Sequence, residues 1–345
     1  MKKQFIAAGI SVISVILPLK AIAANFTEIY IFGDSLSDTG NVFDFTLNSI
    51  PPSPPYFEGR FSNGLIWIDY LAEDLGLNPA TYSDVVLENT IPTEGINFAF
   101  GGATTGGENT VSLAFPTAPD LPGLPDQISL FTANFSTIAD ADALYIIWAG
   151  SNDYLPTEST FEPLTSSTVS INNISNAITA LANVGAENIV VVNLPNLGDT
   201  PVALNANQAE PGITNRLNTL SAEHNTALAA EIDDLTTGLA PDINLISFDL
   251  NALFTDVFNN PETFNLTNVT NGCLLIECTN PDEFLFWDAQ HVTTAANQLI
   301  ADAALQTLDA SSIPEPNFKL GILAFGIWAA SQTIGYKKNN NNRKI

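Results

Sequence analysis

The sequence predicts an α/β fold: a three-layer α/β/α sandwich around a mostly parallel, five-stranded sheet. Two observations carry this. Five short β-rich runs are apolar without alternation and stop at Gly, Ser, Asn or Asp. Between them lie segments with apolar residues at helical spacing. Unalternated runs suit strands buried on both faces, and alternating them with helices implies a parallel sheet covered on each side. The expected topology is flavodoxin-like.

The strand runs are "EIYIFGDS" from Glu28, "GINFAFGG" (Gly95–Gly102), "ALYIIWAGSND" (Ala143–Asp153), "NIVVVNLPNLG" (Asn188–Gly198) and "INLISFDL" (Ile243–Leu250). The helical segments begin with "LIWIDYLAEDLGL" (Leu65–Leu77), which ends at Gly76. A second places Val169, Ile174, Ile178 and Leu181 on one face and stops near Gly185. A third runs through Leu217, Leu220, Leu228, Ile232 and Leu235. "PPSPPY" (Pro51–Tyr56) and "PTAPDLPGLPDQ" (Pro116–Gln127) read as loops, because proline is excluded from helix interiors.

Both ends of the 345-residue chain look like processing segments. Residues 1–24 have the form of a secretory signal peptide: Lys2 and Lys3, an apolar run from Phe5 to Leu17, then "AIA" at Ala21–Ala23. At the other end, "IPEP" (Ile313–Pro316) precedes an apolar stretch from Leu320 to Tyr336 and a basic tail with Lys337, Lys338, Arg343 and Lys344. As a helix that stretch reaches roughly 26 Å, enough for a thin bilayer. The order resembles the PEP-CTERM sorting signal of Gram-negative bacteria. It implies export, an initial membrane tether through residues 313–345, and a sorting peptidase as partner.

Residues 25–312 remain as one domain. All acidic residues except Glu315 fall within it, against Arg60 and Arg216 as its basic residues, and the whole chain has a formal net charge of -27. Such a surface repels nucleic acid and anionic lipid. Arg60, nearly alone among acids, is expected to hold a structural ion pair. Cys273 and Cys278 are expected to form one disulfide, a loop staple in an exported chain.

The chemistry rests on few residues. Ser35 ends an apolar strand, where open α/β sheets place their sites. A serine hydroxyl is a poor nucleophile until a base takes its proton. The chain has two histidines. His224 sits in a polar helical segment and reads as a solvated face residue. His291 follows Asp288 by three residues in "DAQH". A tight turn there lets the carboxylate bind Nδ1–H and leaves Nε2 as base. Thr293 or Thr294 can cap the helix that follows. Carboxylates around His291 favour its charged form, so a histidine base is lost as pH falls. A developing oxyanion needs aimed donors. "NFAFGGATTGG" offers backbone N–H groups at glycines, and "WAGSND" offers the Asn152 amide. Trp67, Trp148 and Trp287 read as core or pocket wall.

These stretches together resemble the SGNH (GDSL) hydrolase family of lipolytic and esterolytic enzymes, most closely its secreted esterase, phospholipase and haemolysin-like branch. "FGDSLSDTGN" resembles the first block and implies Ser35 as nucleophile. "GINFAFGGAT" resembles the second and implies Gly102 as an oxyanion donor, with Gly101 as fallback. "GSND" gives Asn152 as side-chain donor. "DAQH" gives Asp288 and His291 as acid and base. The resemblance spans Ile29 to about Leu308. It implies a serine ester hydrolase that needs no cofactor or metal and takes an ester of a lipid or an acylated glycan. Two departures stand out. No G-x-S-x-G elbow is present, which disfavours the α/β-hydrolase fold. Val292 follows His291 where many relatives have proline, which implies a looser histidine turn. The competing expectations are a carbohydrate O-deacetylase acting on exopolysaccharide, and a non-catalytic matrix or surface protein on the same scaffold.

Overall fold

A computed structural model describes residues 26–115, 118–135, 140–155 and 161–312. The leader and tail expected at 1–24 and 313–345 lie outside the described residues. Among the described residues no helix is long and apolar enough to cross a membrane. The described residues up to Asp309 form one compact unit. A second begins at Ala310; its described residues, 310–312, are the end of the last helix.

The main sheet contains β1 (Ile29–Gly33), β2 (Ala80–Thr81), β3 (Gly95–Asn97), β4 (Leu144–Trp148), β5 (Asn188–Val192) and β6 (Asn244–Phe248). All pairs are parallel, in the order β2-β3-β1-β4-β5-β6. The sheet therefore has six strands where the sequence suggested five. The extra one, β2, is two residues at the edge, too short to leave an apolar run. Without it the order is the flavodoxin-like one. A smaller parallel pair joins β7 (Asn268–Gly272) and β8 (Phe284–Phe286).

The helices are α1 (Asn41–Phe45), α2 (Trp67–Leu75), α3 (Tyr82–Leu87), α4 (Thr110–Ala114), α5 (Leu124–Asn134), α6 (Ser151–Tyr154), α7 (Ser167–Asn183), α8 (Pro201–Ala209), α9 (Ile213–Gly238), α10 (Leu250–Asn259) and α11 (Thr294–Ser312). The stretch read as a loop to Gln127 ends earlier, because α5 starts at Leu124. Pro125 sits in its first turn, where a missing N–H costs nothing. The run expected to be a strand from Gly95 to Gly102 pairs regularly only over Gly95–Asn97. Its continuation stays beside β1 through Phe98 N–H to Ile31 O (2.7 Å) and Phe100 N–H to Gly33 O (3.1 Å).

Strand side chains alternate between two cores, as the two-residue period requires. Ile29, Ile31, Ile146, Trp148, Val190 and Val192 face α2, α10 and α11, through Leu71, Phe254 and Ile300. Tyr30, Phe32, Tyr145, Ile147, Ile189 and Val191 face α5, α7 and α9, through Phe131, Ile174 and Leu228. This is the expected three-layer arrangement. Burying both faces of every central strand explains why those runs carry no polar alternation. From β1 the chain runs to β2 and β3 on one side of it, and from β3 it crosses back to β4 on the other. The carboxyl end of β1 is thus a topological switch point, and Ser35 lies just beyond it.

Two expectations about charge resolve here. Arg60 makes a two-pronged pair with Asp69, with Nε and Nη2 each 2.7 Å from a carboxylate oxygen. Asp69 also accepts from Ile66 N–H (2.8 Å), so the pair anchors the start of α2. His224 is not a solvated face residue. It is fully buried on the face of α9 that carries Leu217, Ser221, Leu228 and Ile232. Burial lowers its pKa to about 4, and its Nδ1 lies 3.0 Å from the Tyr154 hydroxyl. Cys273 and Cys278 are joined as a disulfide.

Candidate active site

The turn after β1 is built to expose one hydroxyl. A Cβ on Gly33 would meet Trp148 O at 2.4 Å, so only glycine lets β1 and β4 approach this closely at their ends. The buried Gln127 amide clamps the same residue, accepting from Gly33 N–H (2.9 Å) and donating to Gly33 O (2.8 Å). Asp34 then folds back, its Oδ1 accepting from Leu36 N–H (3.0 Å), while Ser37 N–H bonds Asp34 O (3.0 Å). This leaves Ser35 at the apex of the turn.

His291 reaches that apex from β8. The strand ends in a tight turn in which His291 O accepts from Trp287 N–H (2.7 Å). Asp288 Oδ1 accepts from Gln290 N–H (2.8 Å) and His291 N–H (2.7 Å). Its Oδ2 accepts from His291 Nδ1 (2.7 Å), and His291 Nε2 lies 2.9 Å from Ser35 Oγ. With Nδ1 carrying the proton toward Asp288, Nε2 is the acceptor for the serine hydroxyl. Thr293 caps α11, accepting from Ala296 N–H (3.2 Å).

The turn is firm although Val292 stands where many relatives have proline. Val292 O accepts from the Ser62 hydroxyl (2.8 Å). Thr294 N–H donates to Asn63 Oδ1 (2.9 Å), and Phe61 packs against the imidazole at 5.1 Å between ring centroids.

The donor side lies across the switch point. Gly101 N–H is taken by Asp38 Oδ2 (2.8 Å). Among the described residues Gly102 N–H and Ser35 N–H have no acceptor. Gly102 has φ +80°, and a Cβ there would meet Asn109 Oδ1, Thr110 Oγ1 and Val111 N at 2.8 Å. Asn152, in α6 directly after β4, donates from Nδ2 to Ala103 O (3.1 Å) and Asp34 Oδ2 (3.3 Å). The next residue, Asp153, is buried and accepts from Thr105 N–H (2.9 Å) and Thr105 Oγ1 (2.6 Å). α6 and the Gly102 loop are thereby locked together.

Charge in the site is arranged unevenly. Burial pushes the Asp288 carboxyl up, but the facing His291 and hydrogen bonds from His291 and Tyr56 outweigh it, and the group sits below the usual carboxylate range. Burial pushes Asp34 up to about 7 against the opposing pull of Leu36 N–H and His291. The two carboxylates thus differ: one stays ionised, and the other titrates near neutrality.

Beside Ser35 and His291 opens a narrow cleft with a cavity volume of about 50 Å³. Leu36, Leu155, Leu197, Phe254, Phe258, Phe286 and Ile300 form its wall, and Asn152, Asn196 and Gln290 lie among its polar residues. Such a site can deprotonate a serine, hold a carbonyl oxygen between aimed donors and bury an apolar chain next to the reacting carbon.

The structure brings Ser35, Asp288 and His291 into one hydrogen-bonded line, with Asn152 beside Asp34 and the Gly102 loop. It also supplies residues the sequence reading missed. Gln127 carried a signal: it is a polar residue on the stripe formed by Leu124, Ile128 and Phe131. Tyr56, whose hydroxyl lies 2.6 Å from Asp288 Oδ2, carried none, being 232 residues away in a loop.

The GDSL-like lipase/acylhydrolase family model matches residues 29–304. The chain is 32% identical over 253 residues to the phosphatidylcholine-sterol acyltransferase of Aeromonas hydrophila, covering 72% of this chain and 65% of that protein's length. It is 29% identical over 319 residues to a GDSL esterase/lipase of Arabidopsis thaliana, covering 80% of each. A solved member of the lipolytic protein G-D-S-L family from Veillonella parvula DSM 2008 aligns with TM-score 0.41 at 15% identity, over 81% of this chain and 96% of that one.

Proposed function

The chain belongs to the GDSL-like lipase/acylhydrolase family of ester hydrolases, and on that premise we propose that it cleaves fatty-acyl carboxylic esters through an acyl-enzyme on Ser35. The observation that carries this is the 2.9 Å approach of His291 Nε2 to Ser35 Oγ beside an apolar cleft. His291 takes the serine proton as Oγ bonds the ester carbonyl carbon. The oxyanion is held by the N–H groups of Ser35 and Gly102 and by Asn152 Nδ2. That amide turns from its long contact with Asp34 toward the substrate. His291 then gives its proton to the departing alkoxide. Water, deprotonated by the same imidazole, attacks the acyl carbon and releases the acid. Asp288 holds the ring in the required tautomer and stabilises its charged form.

The apolar wall favours a multi-carbon acyl chain over acetate, and so a lipid-type ester over the deacetylase alternative. A p-nitrophenyl ester series from acetate to laurate tests this. We expect kcat/KM to rise with chain length beyond acetate and to fall for the longer esters when Phe258→Trp narrows the cleft. Activity confined to acetate would reject the reading.

We propose further that residues 1–24 are removed on export and that residues 313–345 serve as a PEP-CTERM-like tether cut by a sorting peptidase. The domain then acts outside the inner membrane. The support is the order of basic, apolar and small residues at each end. Intact-mass measurement of the mature protein tests both cuts.

A further inference from the structure

Among the described residues the Asp288 carboxylate has four hydrogen-bond donors. Three of them come from its own turn: Gln290 N–H, His291 N–H and His291 Nδ1–H. The fourth comes from outside, the Tyr56 hydroxyl at 2.6 Å, and it lands on Oδ2, the oxygen that faces the imidazole. Tyr56 is held by edge-on packing against Trp287 (6.5 Å, 89°) and Phe61 (6.4 Å, 66°). Its loop docks along the histidine turn at Phe61, Ser62 and Asn63. Those contacts fix the turn, but none of them touches the carboxylate.

We infer that Tyr56 is a positioning residue that sets the basicity of His291, by sharing the one carboxylate oxygen on which the imidazole proton depends. This rests on the proposed roles of Ser35, Asp288 and His291. The physics is a competition. A donor on Oδ2 withdraws negative charge from the side facing Nδ1–H, so the imidazolium is stabilised less than by a carboxylate bound to histidine alone. Among the other groups that meet this ring are Asp34 from the β1 turn, which favours the charged form when ionised, the packed Phe61 ring and the neutral Ser35 hydroxyl. Arg60, on the same loop as Tyr56, is occupied by Asp69. Tyr56 therefore opposes Asp34, and the Pro-rich loop has a direct line to the base.

The test is the imidazole titration of His291 by NMR in the whole protein, with the two histidines separable because His224 is buried and titrates far lower. Tyr56→Phe keeps the ring packing and removes the hydroxyl. We expect its His291 midpoint, and the acid limb of kcat/KM with it, to move up by roughly half a pH unit. Ser62→Ala, which loosens the loop without touching the carboxylate, should leave the midpoint in place. An unmoved or lowered midpoint in Tyr56→Phe, or an equal rise in Ser62→Ala, overturns the assignment. Fluorophosphonate labelling separates the two levels. If Ser35 is labelled in the unmodified protein and Tyr56→Phe leaves the midpoint unmoved, only the role of Tyr56 fails. If Ser35 is not labelled in the unmodified protein, the underlying site fails and this inference falls with it.

Discussion

Ser35 Oγ and His291 Nε2 lie 2.9 Å apart although 256 residues separate them in the chain. The sheet makes this meeting possible. β1 delivers the serine at the switch point, and the segment after β8 returns the imidazole to the same edge. Asp288 needs no such journey, because a turn of four residues seats it on Nδ1.

Asn152→Ala removes a donor aimed at the carbonyl oxygen. We expect kcat to fall by about 10²–10³, or roughly 3–4 kcal/mol of transition-state stabilisation, with KM little changed. Steady-state kinetics on one ester checks the split between the two constants.

Gly102→Ala places a methyl where Asn109, Thr110 and Val111 already stand, at a backbone angle that L-residues rarely adopt. Activity should drop and thermal stability with it. A variant as stable and active as the parent would show that the loop is not held as described.

Gln127→Ala strips the clamp from Gly33. Gly33 O keeps its bond from Phe100 N–H, but the buried Gly33 N–H is orphaned. The expected cost is about 1–3 kcal/mol, measured as a lower denaturant midpoint with an unchanged slope.

Asp34→Asn removes a carboxylate that favours charged His291. The acid limb of kcat/KM should move to lower pH, opposite to Tyr56→Phe. Stability supplies the second check. Burial raises Asp34 to about 7 and Asp38 to about 6, both above the unfolded value. A group raised on folding gives its full contribution below its unfolded pKa and loses it as pH rises through the folded one. The denaturant midpoint should therefore decline from pH 5 to pH 8, less steeply in Asp34→Asn.

Much of this was legible in the sequence. The apolar runs located five strands because both faces of the central ones are buried; "GDS" and "GSND" stand at ends of those runs, and "DAQH" lies in the turn after β8 of the smaller sheet. What was missed has physical reasons. β2 forms at the sheet edge from two residues, below any periodic signal. His224 was misread from its polar neighbours, although its spacing from Leu217 and Leu228 put it on the buried stripe of α9. Tyr56 and the loop that braces Val292 act across more than 200 residues, and nothing local announces such a contact.

Fluorophosphonate labelling at pH 8 followed by peptide mapping tests whether His291 activates Ser35. We expect one stoichiometric adduct, on the peptide carrying Ser35, abolished in Ser35→Ala and severely slowed in His291→Ala. No adduct on a folded protein, or an adduct on a different serine, would contradict that activation.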